Sequence, residues 1–152
     1  MRVLIFKAKR LLQVLDGGRL VLQAKLALGP CATGAKTREG DGKTPEGEYH
    51  ICLVKEAGKY GKSLGLDYPG VGDAELALAQ GGIDAQAYNA ILTAHREGRR
   101  PPWGTPLGGE IYLHAGGARS DWTQGCIALE DEDMERLFDL HGQVEVVEIL
   151  PE

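Results

Sequence analysis

At 152 residues the chain has room for one domain, which buries roughly two-thirds of the surface its unfolded form exposes and needs no disulfide or metal to fold. A net charge of -5 with no long basic run argues against a nucleic-acid partner, since phosphate binding needs clustered Lys and Arg. Glycine, at 22 copies, stands at about twice its usual frequency of roughly 7%, which predicts many turns and short strands.

The N-terminal MRVLIFKAKRLLQVLD interleaves charge with its apolar residues and offers neither an apolar core of a signal peptide nor a small-residue cleavage site. No apolar run approaches the ~18 residues of a membrane span. The chain is therefore expected to be soluble, with any export signal missing from it. Val3–Ala8, Arg10–Leu15 and Leu20–Leu28 repeat apolar residues at about every second place around an Asp16-Gly17-Gly18 turn, so they read as a β-meander. The stretch Gly29–Gly47, dense in Gly, Pro, Thr and charge, reads as a long surface loop of the kind that is often functional. A strand over Glu48–Val54 follows.

Residues Asp73–Ala79 and Asp84–Arg96 have helical composition, the second with Tyr88, Ile91, Leu92 and His95 spaced by three and four and stopped by Gly98 and Pro101-Pro102. Glu110–His114 reads as an apolar strand. Acidic residues at 130–133 suit a helix N-terminus, with Met134, Leu137 and Phe138 facing a core. Gln143–Leu150 is a last strand. The whole is β-rich α+β in one domain spanning 1–152, without internal repeats.

Three cysteines, Cys31, Cys52 and Cys126, form no CxxC pair, so neither a disulfide framework nor a zinc knuckle is signalled and at least one thiol is free. Cys126 lies in TQGCIAL, between a glycine that permits close backbone approach and an apolar run able to anchor the segment in a sheet. A thiol with an ordinary pKa of about 8.5 needs a base or a cation beside it to serve as a nucleophile at neutral pH. His114, at the end of a strand and followed by AGGARSD, is the best-placed base, because that small loop leaves its imidazole open. His50 inside a strand, His95 near a helix end and His141 before a turn glycine are weaker candidates. A free cysteine is more often a small buried hydrophobe than a nucleophile. For Cys31 and Cys52 a buried or incidental role is the preferred reading, and His50 with Cys52 makes a poor metal site.

GDGKTPEGEYHI, TPLGGEIYLHAGG and DWTQGCIAL, in this order and followed by a helix and a short strand, resemble the L,D-transpeptidase catalytic domain (YkuD-type) from about Val3 to the end of the chain. The resemblance implies a β-sandwich or barrel with a few helices, acting on peptidoglycan stem peptides in the cell envelope without metal or organic cofactor. It implies Cys126 as nucleophile and His114 as base, the latter oriented by the main-chain carbonyl of Ala115. It aligns Thr123, as a substrate-binding residue, and Gly125 with the family's [S/T]HGC motif, and the N–H groups of Gly125 and Cys126 with an oxyanion hole.

Two motif positions depart from the usual pattern, Gln124 standing where the family commonly has His and Ala128 where it commonly has Arg, and the loop before Thr123 is short. These changes resemble a sub-branch reading DWTxGCIAL, in which some members hydrolyse rather than join peptides. Gln124 is then expected to shape the groove, and Trp122 to wall it or to fill the core. Arg119 is a candidate to replace the missing motif Arg, while Lys36, Arg38 and Lys43 are most simply solvated. Three readings stay open beside the transpeptidase: a carboxypeptidase or cross-link hydrolase, a wall-binding module without turnover, and a thiol acyltransferase on another peptide. The sequence carries no signal of oligomeric state.

Overall fold

In the computed structural model, which describes residues 1–152, nine strands form one mixed sheet accompanied by three helices. The N-terminal meander is β1 (Arg2–Phe6), β2 (Leu11–Asp16) and β3 (Arg19–Ala27), each antiparallel to the next. Its period-two pattern sends Val3, Ile5, Leu12, Val14, Leu22, Ala24 and Leu26 into the core. The C-terminal strand β9 (Val146–Leu150) joins β1 in parallel and contributes Val147 and Ile149 to the same core.

The expected strand over Glu48–Val54 is two strands. It breaks at His50 into β4 (Gly47–Tyr49), which pairs with β9, and β5 (Ile51–Gly58), which pairs with β6 (Gly61–Leu66). The sheet order is β4-β9-β1-β2-β3-β8-β7-β6-β5, so these consecutive segments lie at its opposite edges. A one-residue connection between the two edges forces the sheet to curl into a nearly closed barrel. Asp67 holds the seam: its carboxylate accepts the His50 N–H at 2.7 Å, and its own N–H donates to the His50 carbonyl at 3.0 Å.

The far half of the barrel carries β7 (Tyr112–His114) and β8 (Ile127–Leu129), parallel to each other, with Leu113 beside Ile127 and His114 beside Ala128. β8 is held by the end of β3 and β7 by β6, all antiparallel. Between β6 and β7 run α1 (Val71–Ala79) and α2 (Ala85–Arg96), the latter capped by the Asp84 carboxylate accepting the Ala87 N–H at 2.8 Å. α3 (Asp131–Leu140) follows β8 and buries Met134, Leu137 and Phe138 against β3 and β6. At about 1.5–3 kcal/mol for each such side chain, this face fastens the helix that succeeds the candidate nucleophile. No helix is long and apolar enough to cross a membrane.

The long loop after β3 is irregular, as expected, but two of its lysine contacts were not. Lys7 is 1% exposed and donates to the carbonyls of Gly34 and Thr44, both at 2.8 Å, and to the Glu46 carboxylate at 3.1 Å. Lys36, expected to be solvated, is 5% exposed and pairs with Asp41 at 3.1 Å. Asp41 also accepts the N–H groups of Thr37, Arg38 and Lys43. These bonds outweigh the cost of burial and hold its carboxyl below the usual range. Removing one partner of such a buried pair costs about 3–5 kcal/mol. The loop is therefore a built wall.

Candidate active site

The segment Asp121–Cys126 is positioned bond by bond. At its start the Asp121 carboxylate accepts the Leu28 N–H at 2.9 Å and takes both arms of Arg10, at 2.7 and 3.0 Å, while the Thr123 N–H donates to the Leu28 carbonyl at 3.1 Å. In its middle the Thr123 hydroxyl donates to the Cys126 carbonyl at 2.8 Å and accepts the Gly125 N–H at 3.2 Å. At its end the buried Thr44 hydroxyl donates to the Gly125 carbonyl at 2.7 Å. Gly125 has φ +131°, and a Cβ there would stand 2.7 Å from the Lys43 carbonyl oxygen, so the turn admits only glycine.

Cys126 emerges from this turn beside Tyr112. Its Sγ accepts the Tyr112 N–H and donates to the Glu110 carbonyl, each at 3.4 Å. Glu110 has φ +56°, the left-handed region, which costs a non-glycine residue roughly 1–2 kcal/mol. Burial pushes the thiol pKa up; the Tyr112 N–H opposes this, the Glu110 charge adds to it and the Lys36 charge opposes it. The resting thiol is neutral at pH 7. It opens into a groove of about 400 Å³ lined by Pro30, Lys36, Glu39, Glu110, Ile111 and Gln124.

His114 ends β7 two residues beyond Tyr112. By strand alternation Tyr112, His114, Cys126 and Ala128 share one face, so base and nucleophile are diagonal neighbours on parallel strands. The imidazole is not open, contrary to the expectation from its small flanking loop. It is 3% exposed, stacked on Tyr60 at 4.5 Å and 17°, with Trp122 edge-on at 5.5 Å. Nδ1 lies 2.5 Å from the Ala115 carbonyl oxygen, which makes it the N–H donor and leaves Nε2 with its lone pair. Burial lowers the imidazole pKa and the Ala115 bond partly restores it. No hydrogen bond joins His114 to Cys126, whose proton points to Glu110 instead.

The remaining expected residues divide. Trp122 is exposed on one side and walls the imidazole with the other, its Nε1–H donating to the Gly117 carbonyl at 2.9 Å. It packs where Gly116 leaves room, since a Cβ at Gly116 would meet it at 2.5 Å. Gln124 is exposed in the groove. Thr123, expected to bind substrate, is buried with its hydroxyl spent inside the turn, and the Gly125 N–H, expected as an oxyanion donor, is committed to that hydroxyl. Arg119 is exposed, carries no ion pair and is not among the residues that line the groove. Ala128 is fully buried between Ala27 and His114, which leaves no space for an arginine there. Arg38 and Lys43 carry no ion pair.

Elsewhere Cys31 is exposed, and Cys52 is half-buried with its pKa pushed up to about 11 by burial and by Asp67. No group of three His, Cys, Asp or Glu is placed to hold a metal. Sequence reasoning missed Tyr60, Lys7 and Thr44. Tyr60 had a signal, because Gly58-Lys59-Tyr60-Gly61 is the two-residue turn of a hairpin.

The model of the YkuD family, the L,D-transpeptidase catalytic domain, matches residues 1–149. The chain belongs to that family. The chain is similar to a variant of Pgp2, the helical cell shape determining protein of Campylobacter jejuni, with a TM-score of 0.66 and 25% identity over 97% of this chain and 46% of that one. Its fold also matches an L,D-transpeptidase from Xylanimonas cellulosilytica, with a TM-score of 0.57 and 14% identity over 98% of this chain and 59% of that one. Bdellovibrio bacteriovorus Bd1075 gives a TM-score of 0.56 and 19% identity over 99% of this chain and 47% of that one. The chain thus spans about half the length of these structures. No curated protein sequence matches it.

Proposed function

We propose that this domain performs cysteine-dependent acyl transfer on peptidoglycan stem peptides, at a bond between an L-centre and a D-centre, in the cell envelope. The observation that carries the reading is a thiol held at the head of β8 in an open groove, one strand from a buried neutral imidazole whose Nε2 lone pair is free. Transfer to Nε2 requires the thiol to turn away from the Glu110 carbonyl, a tightening that catalytic contacts commonly undergo when substrate arrives. As that proton moves, the S–H electron pair forms the C–S bond and the carbonyl π pair moves to oxygen. With the Gly125 N–H committed to Thr123, the Cys126 N–H is the main-chain donor left for the oxyanion in this state. Collapse of the adduct breaks the C–N bond, and Nε2 returns the proton to the leaving amine. The thioester is then resolved by an amine, giving a cross-link, or by water. Incubating the protein with defined muropeptides and a D-amino-acid acceptor, with products read by mass spectrometry, tests the proposal. An intact substrate in every case favours a wall-binding module.

Two expected results follow from the electrostatics. A thiol that is neutral at rest depends on its base, whereas Cys31 is exposed. A carbapenem-type acylating agent should therefore modify Cys126 ahead of Cys31 and Cys52, while simple alkylation need not share that selectivity. Peptide mapping of the acylated protein checks it, and preferential acylation of Cys31 or Cys52 would overturn the assignment. The rate should also fall as pH drops through the His114 pKa, because a protonated imidazole cannot accept a proton. That pKa lies below the ordinary 6.5, so the rate should still be level at pH 7.

Gln124 lines the groove yet cannot shuttle protons near neutral pH. Gln124→Ala should leave acylation within about tenfold, roughly 1.4 kcal/mol of barrier, while changing the ratio of hydrolysis to transfer. Stopped-flow acylation alongside product ratios measures both. A collapse of acylation in the folded variant would add Gln124 to the catalytic machinery.

A further inference from the structure

Two of the other histidines stand near a carboxylate: Asp67 lies 3.2 Å from His50 and 3.8 Å from His95. His114 has none, although it is the one proposed to become charged. When Nε2 takes the thiol proton, a cation forms on a ring that is 3% exposed, where water cannot solvate it. The groups that surround it are few. β6 brings Ser63 into register with it and β8 brings Ala128. Its own strand end supplies the Ala115 carbonyl at Nδ1, the loop after it supplies Trp122, and the β5–β6 turn supplies Tyr60. The nearby acids Asp131 and Glu130 are taken up by the N–H groups of Gly116 and Ala118. The nearby cations are Lys59, 5.3 Å from the Tyr60 ring, and Lys55, 4.9 Å from the Tyr112 ring.

Tyr60 therefore presents the largest electron-rich surface to the imidazole. Its ring lies nearly parallel at 4.5 Å between centroids, inside the ~6 Å at which a π face attracts a cation. We propose that Tyr60 is a positioning residue that stabilises the His114 imidazolium through its π face, in the role a carboxylate plays beside other catalytic histidines. This inference rests on the Cys126–His114 reading above. The charge exists only between the two proton transfers, from Sγ to Nε2 and from Nε2 to the leaving amine, so the contact strengthens when the barrier is crossed. Lys59 on the same ring works against it, and its flexible ammonium can withdraw into water. Trp122 stands edge-on and completes the cover.

Truncating Tyr60 would both remove the π face and wet the imidazole, which shift its pKa in opposite directions. The decisive variant keeps the ring and changes its electrons. Tyr60→Phe removes only the hydroxyl, and phenylalanines bearing one, three and five ring fluorines at position 60 nearly preserve shape while weakening and then reversing the quadrupole. Two readouts are needed: the His114 pKa from imidazole ¹⁵N shifts, and the rate of Cys126 acylation by a carbapenem.

Tyr60→Phe should stay within about twofold in rate, and the fluorine series should lower both the imidazole acid constant's midpoint and the acylation rate progressively, by up to about tenfold at five fluorines. A pKa that stays flat across the series overturns the proposal and leaves Tyr60 as packing. A pKa that falls while acylation holds steady overturns it as well, since the imidazolium would then play no part in the barrier. Neither readout uses a muropeptide, so inert muropeptides with an intact fluorine trend would sink the substrate assignment alone.

Discussion

His114→Ala is expected to slow acylation of Cys126 by about 10²–10⁴, the range for losing a positioned base. The effect should be large because the Glu110 main-chain carbonyl that now accepts the thiol proton is not basic, Lys36 is paired with Asp41, and the Glu39 and Glu110 carboxylates that line the groove are ordinarily weaker bases than an imidazole. Burial already holds the thiol pKa up, so the thiolate route open to an exposed cysteine is closed here at neutral pH. The other histidines serve the fold. His95 bonds the Pro69 carbonyl through Nε2 at 2.7 Å, His141 bonds the Phe138 carbonyl through Nδ1 at 2.5 Å, and His50 meets Asp67 at the seam. Their alanine variants should acylate near the starting rate once folded. Stopped-flow acylation with thermal unfolding as a control makes the comparison, and a folded His114→Ala protein with a near-normal rate removes the imidazole from the mechanism.

How far the sequence could be read follows from the range over which each feature is determined. The meander and α2 were legible because alternation and three-to-four spacing are local, and Val3, Ile5, Leu12, Val14 and Ile91 are indeed buried. The break at His50 was not, because an unbroken apolar-polar run gives no hint that its two halves pair with different neighbours. β6, GKSLGL, was missed because its two glycines dilute the alternation. Glu110–His114 shortened to Tyr112–His114 because Glu110 turns left-handed to aim its carbonyl at the thiol.

The candidate pair Cys126 and His114 came from motif and resemblance, and the structure sets them on one sheet face without bonding them to each other. What surrounds them was invisible from the sequence for one reason throughout. Lys7, Lys36 and Thr44 act through partners 27 to 39, 2 to 5 and 81 residues away or only inside a folded loop, and a lone Lys or Thr in a Gly-rich stretch reads as solvated. Thr123 was legible as a motif residue but not as a structural one. Its hydroxyl has one donor and its lone pairs, and the turn uses both sides before any substrate arrives.

The second large effect should come from Gly125→Ala, a change of one methyl group that touches neither reacting atom. At φ +131° an alanine is strained, by about 1–3 kcal/mol for such sparsely populated backbone. Its Cβ would also stand 2.7 Å from the Lys43 carbonyl oxygen, which belongs to the wall held by Lys7 and Asp41 and so cannot give way cheaply. If the turn moves instead, the buried Thr44 hydroxyl loses the Gly125 carbonyl, a further cost of about 1–3 kcal/mol. Together these predict a fall of about 4–24 °C in melting temperature, at about 2–4 °C per kcal/mol for a domain of this size. The thiol moves with the turn, and a displacement of about 1 Å at a reacting centre can cost about 10²-fold. Acylation of the folded variant should therefore drop by about that factor, although Cys126 and His114 are both intact. Gly142→Ala makes the same chemical change where no atom lies within 4 Å of the new Cβ, and should leave the acylation rate unchanged. Normal acylation by a stable Gly125→Ala protein would show that the Thr44–Gly125–Thr123 clamp is not what places the thiol, and the groove's other wall at Glu110 and Tyr112 would have to do so.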